Sequence, residues 1–301
     1  MTKPSHIFIV GVNRTGTNLM RRILNCSPEV GVCGETHYLG HWIGYKGFQH
    51  EFAKVADIST DAGAEKVVDY IYNIRPNAWR GDGFWGWVQK NSDRNQFLEK
   101  LLASDRSEHA ILDVVMELYA GDKPIRGDKT PAHIHSLPTL LSWYPEAKII
   151  HMFRDLRAIF VSEKRRQLME YITLPYRILW RSELALEMVL STNFIFHWLR
   201  AARLHRQYQE LYPQNYHLCR FEDLTSDPET HLKKLCASLE LDFSDRMLNL
   251  SYQNSSLIPR HQAQGIDAST ANRWQKHLHP LTSKWLVWWS KKYLLEFGYQ
   301  P

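Results

Sequence analysis

The segment His6–Val12 is a short β-branched run that ends in glycine, and it leads through Gly11-Val12-Asn13-Arg14-Thr15-Gly16-Thr17-Asn18 into Leu19, Met20, Ile23 and Leu24 at helical spacing. This order predicts a strand, a tight loop and a helix. An uninterrupted apolar strand must be covered on both faces, so the segment calls for a parallel sheet between layers of helices. Two further apolar runs, Ala110–Met116 and Lys148–Phe153, read as buried parallel strands, with helical patterns over Pro131–Trp143 and Leu156–Leu168 on either side of the second. The expected fold class is α/β, a single-domain three-layer fold with a central parallel sheet flanked by helices. The C-terminal third reads as helix-rich: an amphipathic stretch from Ser182 to Tyr212 stops at Pro213, a strand-like Tyr216–Phe221 follows, Asp227-Pro228 opens a helix with Asp227 as N-cap, and a terminal helix begins near Pro280.

The 301 residues are 44% hydrophobic and 23% charged, enough to bury a full core and unlike a disordered, fibrous or coiled-coil chain. Thirty-seven Lys and Arg against thirty-two Asp and Glu leave a charge of +5, which suits an anionic small ligand as well as nucleic acid. No run reaches the roughly 18 to 20 apolar residues of a membrane span, and the apolar stretch in MTKPSHIFIVGV is too short for a secretory signal. A cytoplasmic protein without a transmembrane segment is the expectation. The four cysteines, Cys26, Cys33, Cys219 and Cys236, show no paired metal spacing, so free thiols are expected and no metal site is assigned. Between Tyr38 and His109 the pattern is irregular, with Gly and Trp crowded into Trp79–Val88, and a loop-rich insertion over about 38–109 near an acceptor site is expected. The alternative is that its aromatics simply pack on the core. Arg80-Gly81-Asp82 recurs as Arg126-Gly127-Asp128, for which chance is a sufficient account.

The glycine-rich turn is an anion cradle. A helix N-terminus presents unsatisfied N–H groups and partial positive charge, and glycines let the backbone approach an oxyanion. Compared with G-x-x-x-x-G-K-[ST], the glycines match but Thr17 stands at the lysine position, so a magnesium-nucleotide hydrolase would lack its central cation. The cation lies three places earlier, at Arg14. A second cation-bearing turn follows the strand Lys148–Phe153, where Arg154 is separated by eight residues from Ser162.

These two segments resemble the 5′-phosphosulfate loop and the 3′-phosphate motif of sulfotransferases that use 3′-phosphoadenosine-5′-phosphosulfate (PAPS). Gly127-Asp128-Lys129-Thr130-Pro131, Arg220-Phe221-Glu222-Asp223-Leu224 with Asp227-Pro228, Trp274–Leu278 and Leu294–Tyr299 extend the resemblance in the family's order. It implies a P-loop-like fold, PAPS as co-substrate without a required metal, and transfer of a sulfuryl group to a hydroxyl acceptor by in-line displacement with a general base. Arg14, Thr15, Gly16, Thr17 and Asn18 would wrap the 5′ end of the donor, and Arg154 with Ser162 would hold its 3′-phosphate. The planar fork of an arginine suits two parallel hydrogen bonds to phosphate. Ser269, in a segment similar to the family's final loop, is a further donor contact.

Within the family the motif spacing is most similar to tyrosylprotein sulfotransferases. Cys33-Gly34-Glu35-Thr36-His37 follows the loop and makes Glu35 the leading general base, with Lys129 as second cation beside Arg14. His37 is the substitute base, and it departs from the arginine that group has there, which weakens the case for a peptide tyrosine acceptor. His133 and His135 are acceptor-side candidates, whereas His151 reads as a core residue. Sugar, lipid, phenol and peptide tyrosine stay open as acceptors, with determinants expected in 38–109 and Gln167–Arg181. Trp285–Trp289 reads as a terminal helix packed on the core, the alternative being a membrane interface. The rival functions are a P-loop kinase and a non-catalytic nucleotide- or nucleic-acid-binding protein. No nucleic-acid-binding signature accompanies the charge.

Overall fold

A computed structural model of the chain describes residues 3–40, 44–74, 83–170, 183–250 and 265–301. In chain order its elements are β1 (His6–Gly11), α1 (Thr17–Asn25), β2 (Val30–Cys33), α2 (Phe48–Val55), α3 (Asp61–Asn73), α4 (Gly83–Asn91), α5 (Arg94–Ala103), α6 (Ala110–Ala120), β3 (Ile125–Lys129), α7 (Leu137–Trp143), β4 (Lys148–Phe153), α8 (Leu156–Glu170), α9 (Glu183–Leu211), β5 (Tyr216–Arg220), α10 (Phe221–Ser226), α11 (Pro228–Ser238) and α12 (Pro280–Glu296). The strands form one sheet in the order β2-β3-β1-β4-β5. β1 and β2 both run parallel to β3, His6 opposite Arg126 and Val30 opposite Ile125. Parallel neighbours need crossovers, and the intervening helices supply them. The result is an α/β fold with a central parallel sheet flanked by helices.

The chain divides into two compact units. The first comprises Met1–Gly11, Thr17–Ile150 and Gln214–Tyr216; the second comprises Val12–Gly16, His151–Pro213 and His217–Pro301. In the first, Ile7, Phe8, Ile9 and Val10 of β1 are wholly buried, as an inner strand covered on both faces must be. β1 and β3 approach so closely that a Cβ at Gly127 would lie 1.9 Å from the carbonyl oxygen of Ile7, so only glycine fits there. The tripeptide Arg126-Gly127-Asp128 is therefore an internal strand segment; its earlier copy at 80–82 lies outside the described residues. In the second unit, Phe153, Leu156, Ile159, Phe160, Phe194 and Trp198 from β4, α8 and α9 pack with Leu286 and Leu294 of α12.

Two expectations from the sequence are corrected. Ala110–Met116 lies in helix α6 and is not a strand: Ile111, Leu112, Val114, Val115 and Met116 are all buried, and a helix buried over most of its surface gives nearly the same apolar run as a buried strand, broken here only by Asp113. The strands in this part of the chain are the short β2 and the polar-looking β3, Ile-Arg-Gly-Asp-Lys. The described residues of 38–109 are largely helical rather than loop-rich, carrying α2 to α5 with Thr60 and Asp93 capping two of them through bonds to Gly63 N and to Asn95 and Gln96 N. Its aromatics form a core: Trp85 is wholly buried with its ring 5.2 Å from Phe48 and 5.0 Å from Phe52. The helical third follows the sequence reading, with Asp227 accepting from Thr230 N at 3.3 Å and Pro280 in the first turn of α12.

Candidate functional site

In the second unit, the loop Val12–Gly16 takes backbone conformations that L side chains rarely adopt, with φ of 71° at Arg14 and 95° at Gly16. A Cβ at Gly16 would meet Cδ2 of Phe221 at 2.5 Å, so this glycine answers both to its φ and to a close approach. Left-handed backbone at an arginine costs about 1 kcal/mol and has to be held by its surroundings. Thr15, fully buried, donates its hydroxyl to Val12 O at 2.7 Å and closes the turn from within.

The fork of Arg154 braces this loop. Its Nη1 donates to Arg14 O at 3.2 Å and its Nη2 to Thr270 O at 2.8 Å, while the guanidinium lies 4.0 Å above the Phe221 ring. Its Nε is buried and has no hydrogen-bond partner among the described residues. Burial pushes the Arg154 pKa down to about 10; Glu222 opposes that and Arg14, a second cation, adds to it. The group remains charged at neutral pH in surroundings that favour an added anion. Arg14 Nε in turn donates to Ser162 Oγ at 3.1 Å and lies 3.9 Å from Glu163 Oε2. Arg14, Arg154 and Ser162, drawn from positions far apart in sequence, thus form one cluster. Glu222 accepts from Asp155 N at 3.1 Å and from Tyr299 OH at 2.9 Å, and burial raises its pKa. Ser269 accepts from Arg273 Nη2 at 2.8 Å, and its N–H is taken by Asp267 Oδ1 at 2.9 Å, so the turn's contact with Arg154 is made by the neighbouring Thr270 carbonyl.

In the first unit, α1 starts at the buried Thr17, and Asn18 Oδ1 accepts from Arg21 Nε at 3.2 Å. Glu35 carries an ion pair from Lys129 on Oε1, and His37 Nε2 lies 3.3 Å from Oε2. The Lys129 side chain is 7% exposed and that of Glu35 38%. Burial alone would raise the Glu35 pKa, but the His37 hydrogen bond and the Lys129 charge outweigh it and hold it at about 2. Glu35 is therefore an ionised carboxylate, partly open to solvent.

Beneath this pair lies a polar network that the sequence reading missed. Asp128 Oδ1 accepts from Thr130 Oγ1 at 3.0 Å and Thr36 N at 3.3 Å, and Asp128 Oδ2 lies 2.8 Å from His133 Nδ1. His133 Nε2 accepts from Leu39 N at 3.2 Å, and Trp85 Nε1 donates to Thr36 O at 3.0 Å. Its members thus grip the segment that carries Glu35 and His37 on both sides, and His37 itself sits at φ 46°. The sequence showed Asp128, Thr130, Thr36 and His133 in its motifs but not that they meet. His133, read from the sequence as an acceptor-side candidate, is wholly buried within this network. Replacing His133 by Ala strips a partner from a buried carboxylate and should cost about 3 kcal/mol in urea unfolding. The expected acceptor segment Gln167–Arg181 lies outside the described side chains.

Comparison with known proteins follows the same lines. Residues 4–245 match the family model described as Sulfotransferase family. A Caenorhabditis briggsae protein called "Putative protein-tyrosine sulfotransferase" is 24% identical over 248 residues, 81% of this chain and 68% of that protein. An uncharacterised Aquifex aeolicus protein is 22% identical over 92% of this chain, which spans only 31% of that relative's length. Among solved structures, the sulfotransferase domain of the Synechococcus PCC 7002 olefin synthase superposes with a TM-score of 0.54 at 20% identity, covering all of this chain and 97% of the other. The sulfotransferase domain from the curacin biosynthetic pathway does so with a TM-score of 0.56 at 18% identity, covering all of this chain and 99% of the other. The chain belongs to the sulfotransferase family and is a transferase of that kind.

Proposed function

We propose that the protein transfers a sulfuryl group from PAPS to a hydroxyl acceptor. The observation that carries this reading is the Arg154 cluster: a buried guanidinium whose Nε has no partner among the described residues, next to a second arginine and a serine hydroxyl. Two cations held this close with burial against them call for a polyanion. The donor's adenosine phosphates have that charge, and Gly16, which has no room for a Cβ, allows backbone to approach an oxyanion. Arg154 and Ser162 hold the 3′-phosphate; Arg14, with the loop through Thr15, Gly16, Thr17 and Asn18, takes the 5′ side; Ser269 supports the turn over Arg154.

Glu35 takes the proton from the acceptor hydroxyl as the new O–S bond forms and the bond from sulfur to the 5′-phosphate oxygen breaks, releasing adenosine 3′,5′-bisphosphate, and Lys129 keeps Glu35 ionised until then. The low basicity of Glu35 is no bar, because the proton of the attacking hydroxyl becomes strongly acidic as its oxygen bonds to sulfur. The Lys129 cation also offsets charge on the transferring group. The acceptor class stays at a hydroxyl compound; a phenol such as peptide tyrosine is favoured by the likeness to the Caenorhabditis briggsae protein and disfavoured by His37. A single sulfotransferase domain over 1–301, working in the cytoplasm with its four cysteines free, completes the proposal.

Titration calorimetry tests it. Adenosine 3′,5′-bisphosphate is expected to bind in the micromolar range or tighter without added metal, and Mg-ATP to give no heat. Binding of Mg-ATP with no response to the bisphosphate would give the protein to the kinases instead.

A further inference from the structure

Trp285 packs against the core from the last helix, but Trp288 and Trp289 do not. In α12, Thr282, Leu286, Ser290 and Leu294 recur every fourth residue and are buried, so the inward stripe is complete without them. Trp288 is 69% and Trp289 48% exposed, with Leu281 and Leu295 more than half exposed beside them. Trp285, Trp288 and Trp289 pack on one another, the last two with ring centroids 4.8 Å apart. Helix α9 packs along α12 in the same unit, joined by the Arg206–Glu296 ion pair and by Thr282 Oγ1 on Glu187. It adds Phe196 at 62%, Val189 at 42% and Leu211 at 57% exposure. Every large apolar side chain exposed among the described residues is on these two helices. Single exposed apolar residues need no explanation, whereas their confinement to one helix pair does.

Charge selects the occupant. Lys284, Lys291 and Lys292 of α12 are exposed and have no acidic partner among the described residues, and the only acidic residue of the helix, Glu296, is paired with Arg206. In a twofold contact between copies the same lysines would face one another. Tryptophan at the level of a headgroup layer, leucine below it and lysines reaching up to phosphate match an interfacial helix, and each cation near an anionic bilayer adds to the attraction. Among the described residues no helix is long and apolar enough to cross a membrane, so the contact would be peripheral.

We propose that the outer face of α12, with the exposed apolar residues of α9, docks the protein on an anionic phospholipid surface. The test is co-sedimentation with vesicles of phosphatidylcholine alone and of phosphatidylcholine mixed equally with phosphatidylglycerol, with tryptophan quenching by brominated lipid as second readout. The protein should bind the anionic vesicles at least tenfold more tightly than the neutral ones, with quenching, and should be released by high salt. Trp288→Ala with Trp289→Ala, and separately Lys291→Glu with Lys292→Glu, should each weaken binding at least tenfold while the circular dichroism and melting temperature hold. No preference for anionic vesicles, or undiminished binding by both variants, overturns the proposal. So does concentration-dependent dimerisation lost in the tryptophan variant, which would make a second copy the occupant, or binding to polyglutamate as tight as to vesicles, which would make it an acidic polypeptide.

Discussion

Arg154→Ala is expected to weaken binding of adenosine 3′,5′-bisphosphate by about 100-fold or more in calorimetry, while the free protein melts within a few degrees of the parent. A charge-assisted hydrogen bond to phosphate contributes about 1.5 to 3 kcal/mol, and the Arg154 fork can make two, so a loss of about 3 kcal/mol or more follows, at 1.4 kcal/mol per tenfold. The free protein responds differently. There the guanidinium is a buried cation whose pKa has already fallen to about 10, so its removal relieves a desolvation cost. Against that relief stand the bonds to the carbonyls of Arg14 and Thr270 and the contact with Phe221. These opposing terms nearly cancel without ligand and not with it. Arg154→Lys keeps the charge but not the fork, and should recover less than a tenth of the lost affinity. If Arg154→Ala binds the bisphosphate as well as the parent does, the cluster is structural and the proposed donor site is wrong.

Glu35→Gln should lower kcat by about 100- to 10,000-fold and leave bisphosphate affinity within about twofold of the parent. Glutamine keeps the shape of the side chain but cannot accept a proton. Because the folded-state pKa is about 2, Glu35 is ionised in the free protein throughout the neutral range, and the acid limb of kcat/KM should not come from it there. The sign for stability follows from a depressed carboxylate pKa. Its contribution is fully present above the unfolded value of 4.5 and is lost as pH falls toward about 2. The side chain is 38% exposed, so solvent screening keeps that contribution to about 1 kcal/mol or less. Parent and Glu35→Gln melting curves should therefore differ slightly at neutral pH and converge as the solution is acidified through that window. An equal loss of bisphosphate binding in Glu35→Gln would move the residue to the donor pocket and leave the base unassigned.

Much of the fold was legible because local rules agreed with it. The β1–loop–α1 unit, β4 followed by α8, and the Asp227-Pro228 start of α11 each carry their signal within about a dozen residues. α6 was misread for a reason that no local rule removes: apolar at six of its first seven positions, it looks much like a buried strand. β3 was hidden by the residues that give it importance. Arg126, Gly127, Asp128 and Lys129 look like a polar turn until a neighbouring strand demands the missing Cβ and buried partners take up the charges. The tryptophans of α12 were read as core, which holds for Trp285 but not for Trp288 and Trp289, because which of them face inward depends on the register at which α12 meets its neighbours.

The candidate residues divide in the same way. Residue type and spacing pointed to Arg14 and Arg154, since a helix start after a glycine turn and a cation at a strand's end have the same electrostatics in any setting, and the resemblance to sulfotransferases added Glu35, Lys129 and Ser162. The sequence could not say that Arg154 braces the backbone of Arg14 and the Thr270 turn, that His37 and Lys129 hold Glu35 ionised, or that His133 grips the segment behind it. Those are contacts between residues distant along the chain, and their strength depends on desolvation. Burial becomes defined only when the whole core has closed, so chemistry was written in the residues and its tuning in the packing.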